Sequence, residues 1–487
     1  MKTTSIKKNV LIYTIYQILC IIVPFITVPY VSRILGPQGI GIYSYTHSLV
    51  IYFTMFAALG TMSYGSREIA RLRDNKEKLS KLFWEIEFLT IITSSICILI
   101  WLVFAVIYHT YTSYMIILTI LIVNVIFDIS WLYIGLEKFK YTVSVNSFFK
   151  ILGIVLIFLF IKEDGDVYKY ILITSMVTLA GTISMWIFLP KHVEKPTIKN
   201  INLKKHFKET LIYFIPTIAA SIYTILDKTL IGLITNDLAE NGYYEQATKI
   251  IDVCKTTAFV SLNAVLGSRI AYLYSQSKYD EIKKRIKNSI DFIFFMSIGM
   301  IYGLVGVSDV FVPLFFGEEF ANAALYIKLL SPVILIIGIS NCLGSHYFTP
   351  AGLRKKSAKY IIIGAITNLV INMLLIPNFK SVGAIIATII AELTISLLYL
   401  KNCNGFLSLK DLLKLSYKKV IAGFIMYLFI FYITKLSMNV YLMLIIQIVL
   451  GALLYVICLL IMRDKFIFET VLNFFKSKMH IQPKKEV

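Results

Sequence analysis

Charge is scarce in this chain: 16% of its 487 residues are Asp, Glu, Lys or Arg, against about a quarter in a soluble domain. With 58% hydrophobic residues, too little polar surface remains to enclose a core in water. Cysteine is sparse as well. The six (Cys20, Cys97, Cys254, Cys342, Cys403, Cys458) are scattered, mostly in apolar runs. No pair has zinc-ligand or redox spacing, which excludes a disulfide framework and leaves them as small core residues. There is no G-x-x-x-x-G-K-[ST], so no P-loop hydrolysis of ATP, and neither H-E-x-x-H nor G-x-S-x-G. No residue set points to catalysis, a metal or a cofactor, and the chain is not read as an enzyme.

What is present is apolar sequence of membrane-spanning length, with a mean hydropathy of +0.77. Segments recur at 10–34, 39–62, 84–108, 113–135, 145–161, 168–190, 210–234, 242–268, 288–316, 325–348, 357–376, 381–400, 417–436 and 439–462. Each is close to the roughly 20 residues that cross ~30 Å of hydrocarbon. The expectation is an all-α polytopic membrane protein of about 14 transmembrane helices. The basic start (Lys2, Lys7, Lys8) resembles a signal peptide, but no cleavage site follows and the run continues to Leu35, so it reads as a retained first helix.

The net charge of +20 suggests nucleic acid until its positions are mapped. Every second connection is basic: Arg67 to Lys81, Lys138 and Lys140, Lys191 to Lys208, Lys278 to Lys287, Arg354 to Lys359, Lys410 to Lys419, and the tail from Arg463 to Lys485. The intervening loops are short, poor in Lys and Arg, and in places acidic (Glu163, Asp164, Asp166; Asp237, Glu240; Glu318, Glu319). This positive-inside pattern keeps one phase throughout and places both termini in the cytoplasm. Anionic headgroups then account for the basic surplus, and no nucleic-acid partner is expected. Short outside loops leave no room for the catalytic domain of a membrane polymerase.

The longest inside connection, 191–209, divides the chain into a six-helix lobe at 1–190 and a second at 210–402, with two extra helices and a basic tail at 403–487. It reads as a linker or as a plain loop. A weak internal echo fits two parallel lobes: a proline-bearing helix leads to Gly41-Ile42-Tyr43 in one and to Gly242-Tyr243-Tyr244 in the other.

The ionisable residues inside apolar spans are the candidates for function, because each costs about 2.5–3.5 kcal/mol at the bilayer centre. Glu245, Lys249 and Asp252 share one helix face, with Lys255 at its edge. They form either a self-neutralising ladder or, the preferred reading, the polar wall of a transport cavity. Asp227 and Lys228 point about 100° apart and each needs a partner elsewhere; Glu245 and Lys249 lie at comparable depth. The first lobe offers Arg33, or a snorkelling version of it, and His47. Asp128 and Glu392 are isolated carboxylates suited to a proton or cation relay or to a structural hydrogen bond.

VPYVSRILGPQGIGIYSY (Val28 to Tyr45) resembles the N-terminal signature of the polysaccharide flippases of the multidrug/oligosaccharidyl-lipid/polysaccharide exporter superfamily. Asp227-Lys228, GYYEQATKI (Gly242 to Ile250) and YFTPAGLRKKS (Tyr347 to Ser357) extend the likeness over essentially the whole chain. The resemblance implies two six-helix lobes around a central cavity and inner-to-outer flipping of undecaprenyl-pyrophosphate-linked oligosaccharide by alternating access. The product would be O-antigen, capsule or exopolysaccharide, with a polysaccharide polymerase and chain-length machinery as possible partners in the cell membrane. It also implies a cationic cavity, which Arg33, Lys228, Lys249 and Lys255 could supply, although Asp227, Glu245 and Asp252 make this one less positive. A cation-coupled drug exporter of the same superfamily and a lipid II flippase are the alternatives; a membrane polymerase fits less well.

Overall fold

In the computed structural model, residues 6–195 and 201–468 are described, and all their regular structure is helical. Lys2, residues 196–200 of the expected linker and the tail beyond residue 468 lie outside the described residues. Among the described residues, nine helices are long and apolar enough to cross a membrane, or ten if the pair Glu318–Leu330 and Pro332–Phe348, bent by 42°, is one span. The difference from the expected count is partly one of continuity. α1 (Ile6–Ala58) holds two expected segments joined across Gly36, and the long helix Arg354–Lys401 holds two joined across Lys380. Two further expected segments, 210–234 and 242–268, are helical but are not among the nine.

Contacts divide the chain into two compact units, Met1–Glu245 and Gln246–Val487. In the first, Gly36 takes a left-handed φ of 62° with extended ψ and breaks α1 into two legs. Glycine adopts that conformation without steric cost, and Pro37 suits the start of the second leg because its absent N–H would lack a helical partner there. α2 (Thr61–Leu72), α3 (Lys76–Tyr108), α4 (Thr112–Phe127), α5 (Ser130–Gly135), α6 (Phe139–Phe160) and α7 (Val167–Met185) follow. Their apolar core is built around Phe83, Ile86, Trp131, Leu132, Tyr133 and Met185. Phe83 and Trp131 stack at 5.3 Å, and Gly65 leaves room for the indole, since a Cβ there would fall 2.5 Å from it.

The end of the expected linker is no free loop. From Leu203 it is already α8 (Leu203–Thr235), capped by Asn202, whose Oδ1 accepts from the Lys205 amide. The Asn202 N–H donates to Glu85 Oε1 at 3.0 Å. One turn on, buried His206 has Nε2 2.9 Å from Glu85 Oε2 and Nδ1 2.7 Å from Tyr64 Oη. These bonds clamp the start of α8 onto α2 and α3. α9 (Leu238–Ser275) contributes its first two turns to this unit.

The second unit continues with α10 (Tyr279–Phe316), α11 (Ala321–Leu330), α12 (Pro332–Leu343), α13 (Arg354–Lys401), α14 (Leu409–Thr434) and α15 (Val440–Ile461). Pro332 stands at the first position of α12, where a helix tolerates it, directly after the bend. α14 and α15 pack on α10 through Tyr455, Met426 and Ile430. Close approach is allowed by Gly299, Gly306 and Gly423, whose added Cβ atoms would meet Tyr455, Ile430 and Tyr302. A buried ion triad reinforces this contact: Lys419 Nζ lies 2.5 Å from Asp291 and 2.9 Å from Asp464. Asp291 is therefore a buried anchor.

Candidate functional site

Polar side chains of α1, α8 and α9 converge within the first unit, in a region of otherwise apolar helices. Lys228 Nζ pairs with Glu245 Oε2 at 2.7 Å, and Ser44 Oγ donates to the same oxygen at 2.9 Å. Asn241 Nδ2 donates to the Lys228 carbonyl at 2.6 Å, and Ser44 lies 3.2 Å from Asn241 Oδ1. Tyr244 Oη donates to Asp227 Oδ2 at 2.6 Å. Along α1 the polar row continues: Thr229 Oγ1 donates to Ser48 at 2.9 Å and faces Tyr52 Oη at 3.2 Å.

Local backbone geometry brings these groups together. A Cβ on Gly41 would stand 1.7 Å from the Leu238 carbonyl oxygen, and one on Gly242 would stand 2.1 Å from that of Pro37. The two glycines of the internal echo thus lie at one main-chain contact, which brings Ser44 within reach of Glu245. Glu245 is buried, whereas the Lys228 side chain keeps 25% of its surface exposed. The cation thus keeps a partner while part of its side chain remains exposed.

The other candidates are placed differently. His47 is half-buried beside Tyr43 (5.1 Å), which meets Tyr170 edge-on. Arg33 is exposed on the first leg of α1. Lys249, Asp252 and Lys255 belong to the second unit. There, exposed Asp252 pairs with Lys255 at 2.6 Å one turn away, and Lys249 is half-buried. Asp128 sits at the break between α4 and α5, where Oδ1 caps the Ser130 amide at 3.0 Å. Glu392 is buried on α13, the helix that also buries Asn368 and Asn372.

Sequence reasoning passed over Glu85, Glu87, His206 and Lys419, all buried. The signal was available for three of them, because Glu85, Glu87 and Lys419 fall within expected spans and a buried charge there needs a partner. Outside the spans, His192 accepts from Lys138 Nζ at 3.1 Å. Burial first, then the charges of Lys138, Lys191 and Lys76, lowers its pKa to about 4.

The family described as "Polysaccharide biosynthesis protein" matches residues 6–267. The chain belongs to that family. A relative in Escherichia coli (strain K12), named provisionally as an O-antigen transporter, is 24% identical over 408 residues, which cover 81% of this chain and 96% of that protein. A Haloferax volcanii protein named as a probable low-salt glycan biosynthesis flippase is 26% identical over 255 residues, 51% of each chain. Among solved structures, a lipid II flippase MurJ in an inward closed conformation superposes with a TM-score of 0.71 at 17% identity, over 93% of this chain and 99% of that one. An inward-facing MATE family multidrug transporter gives 0.61 at 14% identity, over 81% and 94%. The fold is that of the multidrug/oligosaccharidyl-lipid/polysaccharide exporter superfamily, and the chain is a multi-pass membrane protein.

Proposed function

We propose that this protein flips undecaprenyl-pyrophosphate-linked oligosaccharide repeat units from the inner to the outer leaflet of the cytoplasmic membrane by alternating access, with both termini inside. Family membership over residues 6–267, joined to a near full-length likeness to a relative named as an O-antigen transporter, carries this reading. The loop charges support the orientation. A pyrophosphate headgroup with about two negative charges gains roughly 4.6 kcal/mol on moving outward across 100 mV, inside negative, so the membrane potential suffices to set direction.

In this reading Lys228 receives the pyrophosphate. The anion replaces Glu245 as the lysine's partner, and Ser44 keeps Glu245 hydrogen-bonded when the lysine turns away. Arg33, Lys249 and Lys255 are the other candidate cations for substrate, and Asp128 and Glu392 are the places to look for ion coupling. The experiment is to delete the protein from its own cell and ask where lipid-linked repeats collect. They should accumulate in the inner leaflet and surface polysaccharide should vanish; unaltered export would remove the proposal, and drug sensitivity without a polysaccharide defect would favour an exporter of the same superfamily.

A further inference from the structure

A cavity of about 660 Å³ lies wholly within the second unit, inside the range of small-molecule sites. Its walls come from four separate pieces of chain: the end of α9 (Tyr274, Ser275), the start of α10 (Tyr279), the stretch containing Tyr347, and the turn after α13 (Asn404, Phe406). Tyr347 belongs to a π-helical turn, Gly344–Phe348, a local widening that is frequent at functional sites. The turns are shaped by left-handed residues, Ser277 (φ 54°) between α9 and α10 and the pair Asn404 (φ 48°) and Gly405 (φ 73°) after α13. These are built walls, not an accidental gap between helices.

The chemistry of the walls is selective. Four aromatic rings surround the space. Tyr274 meets Tyr279 edge-on at 6.2 Å, Tyr279 meets Phe406 edge-on at 6.5 Å, and Tyr347 meets Phe406 at 4.9 Å. Among the described residues no lining residue is Asp, Glu, Lys, Arg or His, so neither a phosphate nor a cation finds its counter-charge among them. The walls are not purely apolar either. Asn404 and Ser275 present polar groups, Ser275 Oγ donating to the Tyr272 carbonyl at 2.7 Å and keeping its lone pairs to accept from a ligand. A hydrocarbon chain would leave those groups unused, at a cost. An uncharged ring with apolar faces and hydroxyls around its edge uses both the aromatic faces and the polar groups.

We infer that this cavity binds an uncharged sugar ring and serves as a docking subsite for the glycan of the lipid-linked substrate. The second half of the statement rests on the flippase reading above. In the orientation proposed there, the connections at 276–278 and 349–353 face the cytoplasm, so the sugar engages before it crosses. The pyrophosphate and the glycan would then be recognised by different chemistry: charge for one, stacking for the other.

The test uses the full chain in lipid nanodiscs and saturation-transfer NMR with two probes, methyl β-D-glucopyranoside and N-acetylglucosamine. Cyclohexanol, a ring with a single hydroxyl, is the control. At least one glycoside should receive saturation, cyclohexanol should receive less, and Tyr279→Leu and Phe406→Leu should each weaken glycoside binding roughly two- to tenfold, the worth of one aromatic contact. Thermal unfolding of each variant at the wild-type temperature shows that it is folded. Silence from both glycosides, equal signal from cyclohexanol, or unchanged glycoside binding in both folded variants overturns the inference. Failure of the flippase reading looks different: glycoside binding with the expected variant losses, but no movement of lipid-linked glycan by the wild type.

Discussion

At the residue scale, the account turns on Lys228 and its carboxylate. Removing one partner of a buried pair strands the other charge, whereas removing both leaves nothing unpaired. Lys228→Met and Glu245→Gln should therefore each lower stability by about 1–3 kcal/mol, and the double variant should recover most of that loss in thermal unfolding. Transport should not recover with it. If Lys228 contacts substrate, the stable double variant stays at least tenfold slower, the worth of one charge-assisted hydrogen bond of about 1.5–3 kcal/mol; normal transport by that variant would reduce Lys228 to a structural role. His192 offers a separate check. Its pKa falls from 6.5 in the unfolded chain to about 4 in the folded one, so the unfolded state binds the extra proton first. Its contribution is intact above pH 6.5 and is lost as pH falls toward about 4. His192→Gln should flatten that part of the stability profile, measured as unfolding temperature against pH, and an unchanged slope would contradict the assignment.

At the element scale, two contacts decide how helices meet. The Gly41–Gly242 crossing has no space for a side chain, since each Cβ would overlap a carbonyl oxygen. Gly242→Ala should force α9 away from α1 and cost at least the 1–3 kcal/mol typical of overpacking. Folded yield and unfolding temperature report this, and Gly165→Ala, where nothing lies within 4 Å, is the neutral comparison. Lys419→Ala should be worse, about 3–5 kcal/mol, because it leaves Asp291 and Asp464 buried without their cation. A variant as stable as the wild type would mean that the triad is solvated. Neither contact could be read from the sequence with its partner attached. Gly41 and Gly242 were visible as an echo, but only coordinates show that they touch. Lys419 was counted with the basic connection Lys410 to Lys419 although it also falls inside the expected span 417–436, and loop charge reports orientation and says nothing of burial.

At the scale of the whole molecule, the hydrophobic runs made the membrane class and the helical fold legible, since hydrocarbon forces every spanning backbone into internally bonded helices. Breaks within the helices were less legible. Gly36 lies between two expected segments that the backbone joins into one bent helix, and the α11–α12 bend falls inside a single apolar run. The docking of α8 through His206 and Glu85 was hidden by the basic, loop-like composition around it. Of the candidate site, Lys228 with Glu245 was anticipated by depth alone, while the parts played by Asn241 and Tyr244 were missed because uncharged polar residues raise no alarm in an apolar run. The central claim is directional transport of a lipid-linked glycan. Its most direct measurement is a proteoliposome carrying undecaprenyl-pyrophosphate oligosaccharide, with glycan arrival at the outer leaflet followed by a membrane-impermeant lectin under an imposed potassium potential. The wild type should deliver glycan outward, faster with the interior negative, and Lys228→Ala should not. Lectin accessibility equal to that of protein-free liposomes, at either polarity, would contradict the account.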